Sequence, residues 1–260
     1  MPERIPLRWR AISCVIWWIV WRTCRRHLLI REIRLATGEN VRWLAPDCDG
    51  FRDTLADEIE TLRADGHPAR ELTGGSRLMA ELALFTVAAD LAFRRAGVAA
   101  DCSRDIVADI GWDLYRRMLL LTSLPIRLVT RDPGRRLRWT LGVLLFFPFR
   151  PVGAPGYAAD LGWESGQVRT HFTCCPPQSL ARRVSVQRGD RNVLEAFRQS
   201  WCRYDWVGAD LIAGDTRRGH YSRSHTLSVG DTVCDMCWAA GATGDPRHPR
   251  RIGKDTRDTE

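Results

Sequence analysis

Through the first 150 residues apolar positions recur mainly at helical spacing. Leu55, Ile59 and Leu62 share one face of a helix predicted over 51–64. Gly66-His67-Pro68 closes it, because proline disfavours helix at the residue before it. Leu78, Leu82, Phe85 and Ala89 mark one face of a longer helix over 77–95, with Ser76 as its expected N-cap and Gly97 as its stop. A third helix is expected over 103–121, interrupted by Pro125. Residues 28–36 read as helical and basic, ending at Gly38. Asp47-Cys48-Asp49-Gly50 and Arg131-Asp132-Pro133-Gly134 read as turns. The apolar run 141–149 is too short to span a bilayer as a helix and reads as a buried helix end.

The period changes after residues 150–156, a loop containing Pro151, Gly153, Pro155 and Gly156. Val168, Thr170 and Phe172 alternate with Arg169, His171 and Thr173, the signature of a strand. Pro176-Pro177 ends it. A helical region follows, clearest over 192–206, where Leu194, Phe197 and Trp201 share a face. Residues 221–229 alternate again, Gly230-Asp231 turns the chain, and 233–238 reads as the last strand of a hairpin. The expected class is α+β, with a helical N-terminal half and a small antiparallel sheet and packed helix in the C-terminal half. Residues 1–38 form an N-terminal extension or first helix, 39–240 a single α+β domain, and 241–260 a tail expected to be disordered.

The N-terminal run 11–21 is nearly unbroken in apolar character, with Arg8 and Arg10 before it and Arg22, Arg25 and Arg26 after it. It is about half the ~20 residues a membrane-spanning helix needs. Trp21-Arg22-Thr23-Cys24 is no signal-peptide cleavage site. Trp9, Trp17, Trp18 and Trp21 beside arginines would suit a membrane interface, but a packed first helix or an extension is the preferred reading. The net charge of +8 resides in arginines mixed with acids along the chain, so no nucleic-acid partner is expected. Nine cysteines, an odd number with two adjacent, suit a disulfide framework poorly and point to reduced thiols in a cytoplasm.

Three segments concentrate candidate chemistry: Thr173-Cys174-Cys175-Pro176, Cys202-Arg203-Tyr204-Asp205, and Gly230-Asp231-Thr232-Val233-Cys234-Asp235. This part of the chain resembles the L-2-amino-thiazoline-4-carboxylic acid hydrolase family. Members of that family carry a strand ending in Cys-Pro, a helix with Cys-x-x-Asp and a final Gly-Asp-x-x-Cys-Asp hairpin. Cys175-Pro176, Cys202 with Asp205, and Gly230, Asp231, Cys234 and Asp235 match these in order. The similarity covers about the last third of the chain. Cys174, Cys237 and the N-terminal apolar run depart from the pattern.

The resemblance implies a single hydrolase-like domain acting on a small-molecule substrate. The expected reaction breaks a C–N bond in a cyclic amidine-like or thiazoline-type ring bearing a carboxylate. Cys175, Cys202, Asp205 and Cys234 are the candidate catalytic residues, and His171, Arg203 and Asp235 the candidate substrate-binding ones. One mechanism uses a thiolate nucleophile, its charge favoured by His171 or Arg203. In the other, Cys175, Cys202 and Cys234, with Asp205 or His171, bind zinc or another divalent metal ion that activates water. Cys234 and Cys237 would face opposite sides of a strand and so would not share an ion.

Asp205 beside Trp206 is a carboxylate whose desolvation would suit a general acid or base; pairing with Arg203 or Arg198 is the bland alternative. Asp235 reads equally as a residue satisfying turn amides. Arg169 or Arg223 would anchor a substrate carboxylate. His67, His220, His225, His248 and Glu164 receive no role. The competing class is a non-catalytic small-molecule or metal-binding or sensing module built on the same sheet and cysteines. Nothing in the pattern sets an oligomeric state.

Overall fold

The computed structural model describes residues 7–241 except 70, 73, 151 and 165, with residues 7–10 described through their backbone alone. The expected disordered tail from residue 242 onward, His248 and the Trp9 side chain lie outside the described residues. The first half is helical: α1 (Leu7–Ile30), a hairpin of β1 (Glu32–Arg34) and β2 (Asn40–Arg42), then α2 (Ala45–Ala64), α3 (Gly74–Arg95), α4 (Ala100–Val129) and α5 (Pro133–Phe146). The second half runs β3 (Ala158–Glu164), β4 (Gln167–Cys174), α6 (Pro176–Gln187), α7 (Arg191–Gln199), α8 (Trp201–Ala213), β5 (Tyr221–Arg223) and β6 (Cys234–Ala239). Its sheet has the order β3-β4-β6-β5, antiparallel throughout. The α+β class with a helical N-terminal half is what the hydrophobic pattern predicts.

Helix α3 is the hub. Its Phe93 is wholly buried and stacks on Phe51 of α2 with ring centroids 4.2 Å apart. The same core takes in Leu28 of α1, Ile33 of β1, Leu180 of α6 and Phe197 of α7. A second core, built from Leu137, Leu141 and Leu144 of α5 with Trp206, Tyr221 and Trp238, lies against the sheet. Trp17 and Trp21 stack inward at 6.3 Å, Trp17 reaching Phe85 at 6.0 Å, while Trp18 is 61% exposed. Arg31 bonds Asp109 of α4 at 2.5 Å, and Arg26 and His27 both meet Asp113. Among the described residues no helix is long and apolar enough to cross a membrane.

Several local expectations are corrected. Residues 28–36 are not one helix: α1 stops at Ile30, and β1 buries only Ile33 between exposed Glu32 and Arg34 as it pairs with β2. The two acidic turn motifs start helices. Asp47 accepts the Leu44 amide at 2.8 Å as α2 begins, and Asp132 accepts the Arg135 amide at 2.7 Å with Pro133 opening α5. Ser76 lies inside α3 and does not cap it; Gly75 beside it has no room for a Cβ, which would fall 1.9 Å from the Pro148 carbonyl oxygen. α4 continues through Pro125, whose missing amide would have met Leu121, a residue 78% exposed.

In the second half, the helix expected over 192–206 breaks at Ser200, whose hydroxyl donates to the Ala196 carbonyl at 2.7 Å. β5 pairs with β6 only over Tyr221–Arg223, and a loop with a short 3-10 turn at Leu227–Val229 replaces a tight hairpin. β3 was not foreseen.

Because Leu28 belongs to the main core, Leu28→Ala is expected to cost about 2–5 kcal/mol of folding stability. Chemical denaturation followed by circular dichroism measures it. A loss below about 0.5 kcal/mol would put α1 outside the core.

Candidate functional site

The alternation of β4 decides what faces inward. Val168, Thr170 and Phe172 are buried, whereas Arg169, His171 and Thr173 are exposed on the outer face. The chain then turns at Cys175, the N-cap position of α6, with Pro176 and Pro177 in its first turn. On β6, Cys234, Met236 and Trp238 line an inner cavity of about 110 Å³. α8 contributes Cys202 and Asp205, one helical turn apart, and β5 contributes Arg223. Thr226 and Ser228, in the loop between β5 and β6, complete the polar edge. Cys175, Cys202 and Cys234 therefore meet at one cavity. Its other walls are apolar and aromatic, among them Tyr115, Tyr157, Phe172 and Trp201.

Asp205 and Arg223 are the only charged side chains lining this cavity among the described residues. The Arg223 guanidinium is 5% exposed and lies 4.6 Å over the Trp206 ring. Its Nη2 donates to the Cys202 carbonyl at 2.9 Å, and its Nη1 to Asp205 Oδ2 at 3.4 Å. Burial works against that charge, but Tyr221, Cys202, Asp205 and Cys234 around it more than compensate and hold its pKa above the usual value. Burial pushes Asp205 up to about 6, against the pull of Arg223 and the Tyr221 hydroxyl, which donates to Oδ2 at 3.4 Å.

The thiols differ in their surroundings. Burial raises Cys175 well above the ordinary thiol range, the Gln178 amide in the first turn of α6 opposes it, and the neighbouring thiols add to it. Cys202 is also raised by burial, but Arg223 and Ser228 pull it down. Its Sγ donates to Ser228 Oγ at 3.4 Å. Cys234 Sγ accepts the Leu227 amide at 3.2 Å and lies 3.4 Å from Thr226 Oγ1.

Three expected binding residues do not line the cavity. His171 points away from it because odd and even positions of β4 face opposite sides. Arg203 is half-buried on α8, on the side of the helix opposite the face that Trp201, Cys202, Tyr204 and Asp205 turn to the cavity. Asp235 holds the β5–β6 loop instead, accepting the amides of Ser224 at 2.8 Å and His225 at 2.6 Å and the His225 ring at 2.8 Å. Asp231 does likewise for the Thr226 amide at 2.7 Å. The two acids of the last motif thus shape the loop that carries Thr226 and Ser228.

Of the two arginines considered for a substrate carboxylate, Arg223 lines the cavity, while Arg169 is half-exposed beside Glu164. Cys237 faces away from Cys234, toward Gln167 at 3.4 Å. All nine cysteines carry free thiols. Among the described residues no group of three or more His, Cys, Asp or Glu is arranged to hold a metal ion. Thr226, Ser228, Gln178 and Tyr115 were not foreseen. The loop and aromatic residues carry no local pattern that marks them.

With a folded-state pKa near 6, Asp205 retains a proton that an unfolded chain releases near pH 4. Its contribution to stability is full below about pH 4 and is lost as the pH rises to about 6, on the order of 3 kcal/mol. Denaturation midpoints at acidic and neutral pH should show this slope in the native protein and its absence in Asp205→Asn. A second check is alkylation at neutral pH: exposed Cys14 should react with iodoacetamide first, and the half-buried Cys175 and Cys202, whose thiols are held protonated, at least about tenfold more slowly. Mass spectrometry of timed digests reads the order. Comparison with known proteins finds no matching family model, curated protein or solved structure.

Proposed function

We propose that this chain is a hydrolase that breaks a C–N bond in a small cyclic, amidine-like substrate bearing a carboxylate. The observation that carries the reading is the cavity itself: one buried cation and one carboxyl of raised pKa, facing thiols from three separated segments. Arg223 would hold the substrate carboxylate. Cys202 is the favoured nucleophile, since it alone combines the Arg223 charge with a carboxyl one turn away on the same helix.

In the first step the Cys202 sulfur forms a bond to the carbon of the protonated amidine, the C=N π pair withdraws onto the exocyclic nitrogen, and the thiol proton passes to Asp205. Asp205 then gives that proton to the ring nitrogen as the C–N bond breaks, so nitrogen leaves as a neutral amine. Water adds to the resulting thioimidate carbon, the C–S bond breaks, and a proton returns to sulfur. A carboxyl with a pKa near 6 suits both directions of that transfer near neutral pH.

One observation favours a second reading, a binding or sensing module: burial keeps Cys175 and Cys202 protonated, and a thiol is a poor nucleophile. Incubation with 2-amino-thiazoline-4-carboxylate, followed by mass spectrometry of products, separates the two. Turnover is expected, abolished in Cys202→Ala and lowered roughly 10²–10⁴-fold in Asp205→Asn, with the fold intact by circular dichroism. Tight binding of the same compound without product would favour the module.

A further inference from the structure

Behind the cavity of the proposed active site lies a second one of about 230 Å³. Ile16 of α1, Leu82, Phe85 and Ala89 of α3, and Val107 and Ile110 of α4 line it, and among the described residues no charged side chain does. Two of its polar side chains are engaged elsewhere: Thr86 Oγ1 accepts the Trp201 indole at 2.9 Å, and the Tyr204 hydroxyl donates to the Ala108 carbonyl at 3.0 Å. Protein interiors hold few voids larger than a water molecule. An apolar cavity of about 150 Å³ stays dry and accepts a hydrocarbon guest.

The two cavities share a wall formed by Met79, Tyr115, Met118, Trp201 and Tyr204. Of the chain's 4 methionines, Met79 and Met118 are in that wall and Met236 lines the first cavity. Methionine is the apolar side chain that repacks most readily around a guest. Ile19 of α1, which also lines the second cavity, is 40% exposed. The arrangement is a cavity with one cation, separated by adaptable side chains from a second cavity lined mainly by apolar residues.

We infer that the substrate of this site is amphiphilic: its charged ring or head group lies at Arg223, and an apolar chain occupies the second cavity. This rests on the hydrolase reading for the head group and adds the substrate class. Among the described residues the second cavity has no charged group to hold a ligand of its own, and the wall it shares with the first, two of whose members are methionines, makes a single ligand the natural occupant of both once those side chains repack.

The test compares butanoate, octanoate and dodecanoate with the matching straight-chain alcohols, by calorimetric titration of the full chain. Each buried methylene should tighten binding roughly fourfold, so octanoate should bind at least tenfold tighter than butanoate. Ala89→Phe, which fills the second cavity only, should erase that gain and leave butanoate unchanged. Should this variant not fold, Leu114→Ala enlarges the same cavity and should favour dodecanoate over octanoate more than the native chain does. Affinity independent of length in both series, or no response in the variant that folds, overturns the inference. In that event a preference for butanoate over butanol would leave the head-group site standing. If alcohols tighten with length as much as carboxylates do, and Ala89→Phe abolishes the gain, the chain cavity holds while the carboxylate anchor falls.

Discussion

A guanidinium at 5% exposure has to be compensated where it sits, and the C-terminal half is arranged around that requirement. Leaving such a charge unpaired would cost on the order of 3–5 kcal/mol. Arg223 reaches its partners only if β5 docks on α8, because the Cys202 carbonyl, the Asp205 carboxyl and the Trp206 ring all belong to that helix. Tyr221 on the same face of β5 packs between Trp206 and Trp238, with ring centroids 4.8 and 4.6 Å away, and so joins strand, helix and β6. The one contact therefore fixes the distance between the sheet and α8, which is the width of the cavity.

The position of α8 is set in turn from the helical half. Asp90 of α3 is fully buried and bonds Ser103 Oγ at 2.7 Å and Arg94 Nε at 3.0 Å. Arg94 passes on to Asp190 at 2.5 Å, and Asp190 caps α7 through the Asn192 amide at 3.0 Å. α7 is thus pinned to α3, and the break at Ser200 redirects the chain into α8 with Trp201 bonded to Thr86 of α3. A buried carboxylate on one helix positions the residues of a site that it does not touch.

Much of the helical half was legible, because faces such as Leu55, Ile59 and Leu62 must be buried and only a helix aligns them. The misreadings came from residue types with two uses. Asp47 and Asp132 satisfy free amides, which serves a turn and the start of a helix alike, and only the following hydrogen bonds tell them apart. β3 is an edge strand with both faces largely exposed, so it lacks the alternation that betrays a strand. The alternation in β4 was clear, and it already assigned His171 to the face opposite Phe172.

Local pattern determined the helical first half, the inward face of β4, the opposed directions of Cys234 and Cys237, and the three cysteine-bearing segments in their order. Periodicity and turn chemistry are properties of a few neighbouring residues, so they can be read along a chain. Which groups meet was decided by tertiary structure alone. Cys175, Cys202, Asp205, Arg223 and Cys234 come together through the sheet order β3-β4-β6-β5 and the docking of α8. The same packing turned Asp231 and Asp235 into supports of a loop and chose Arg223 over Arg169 and Arg203. It also raised the Asp205 pKa, since desolvation depends on what encloses a carboxyl and not on its neighbours in sequence.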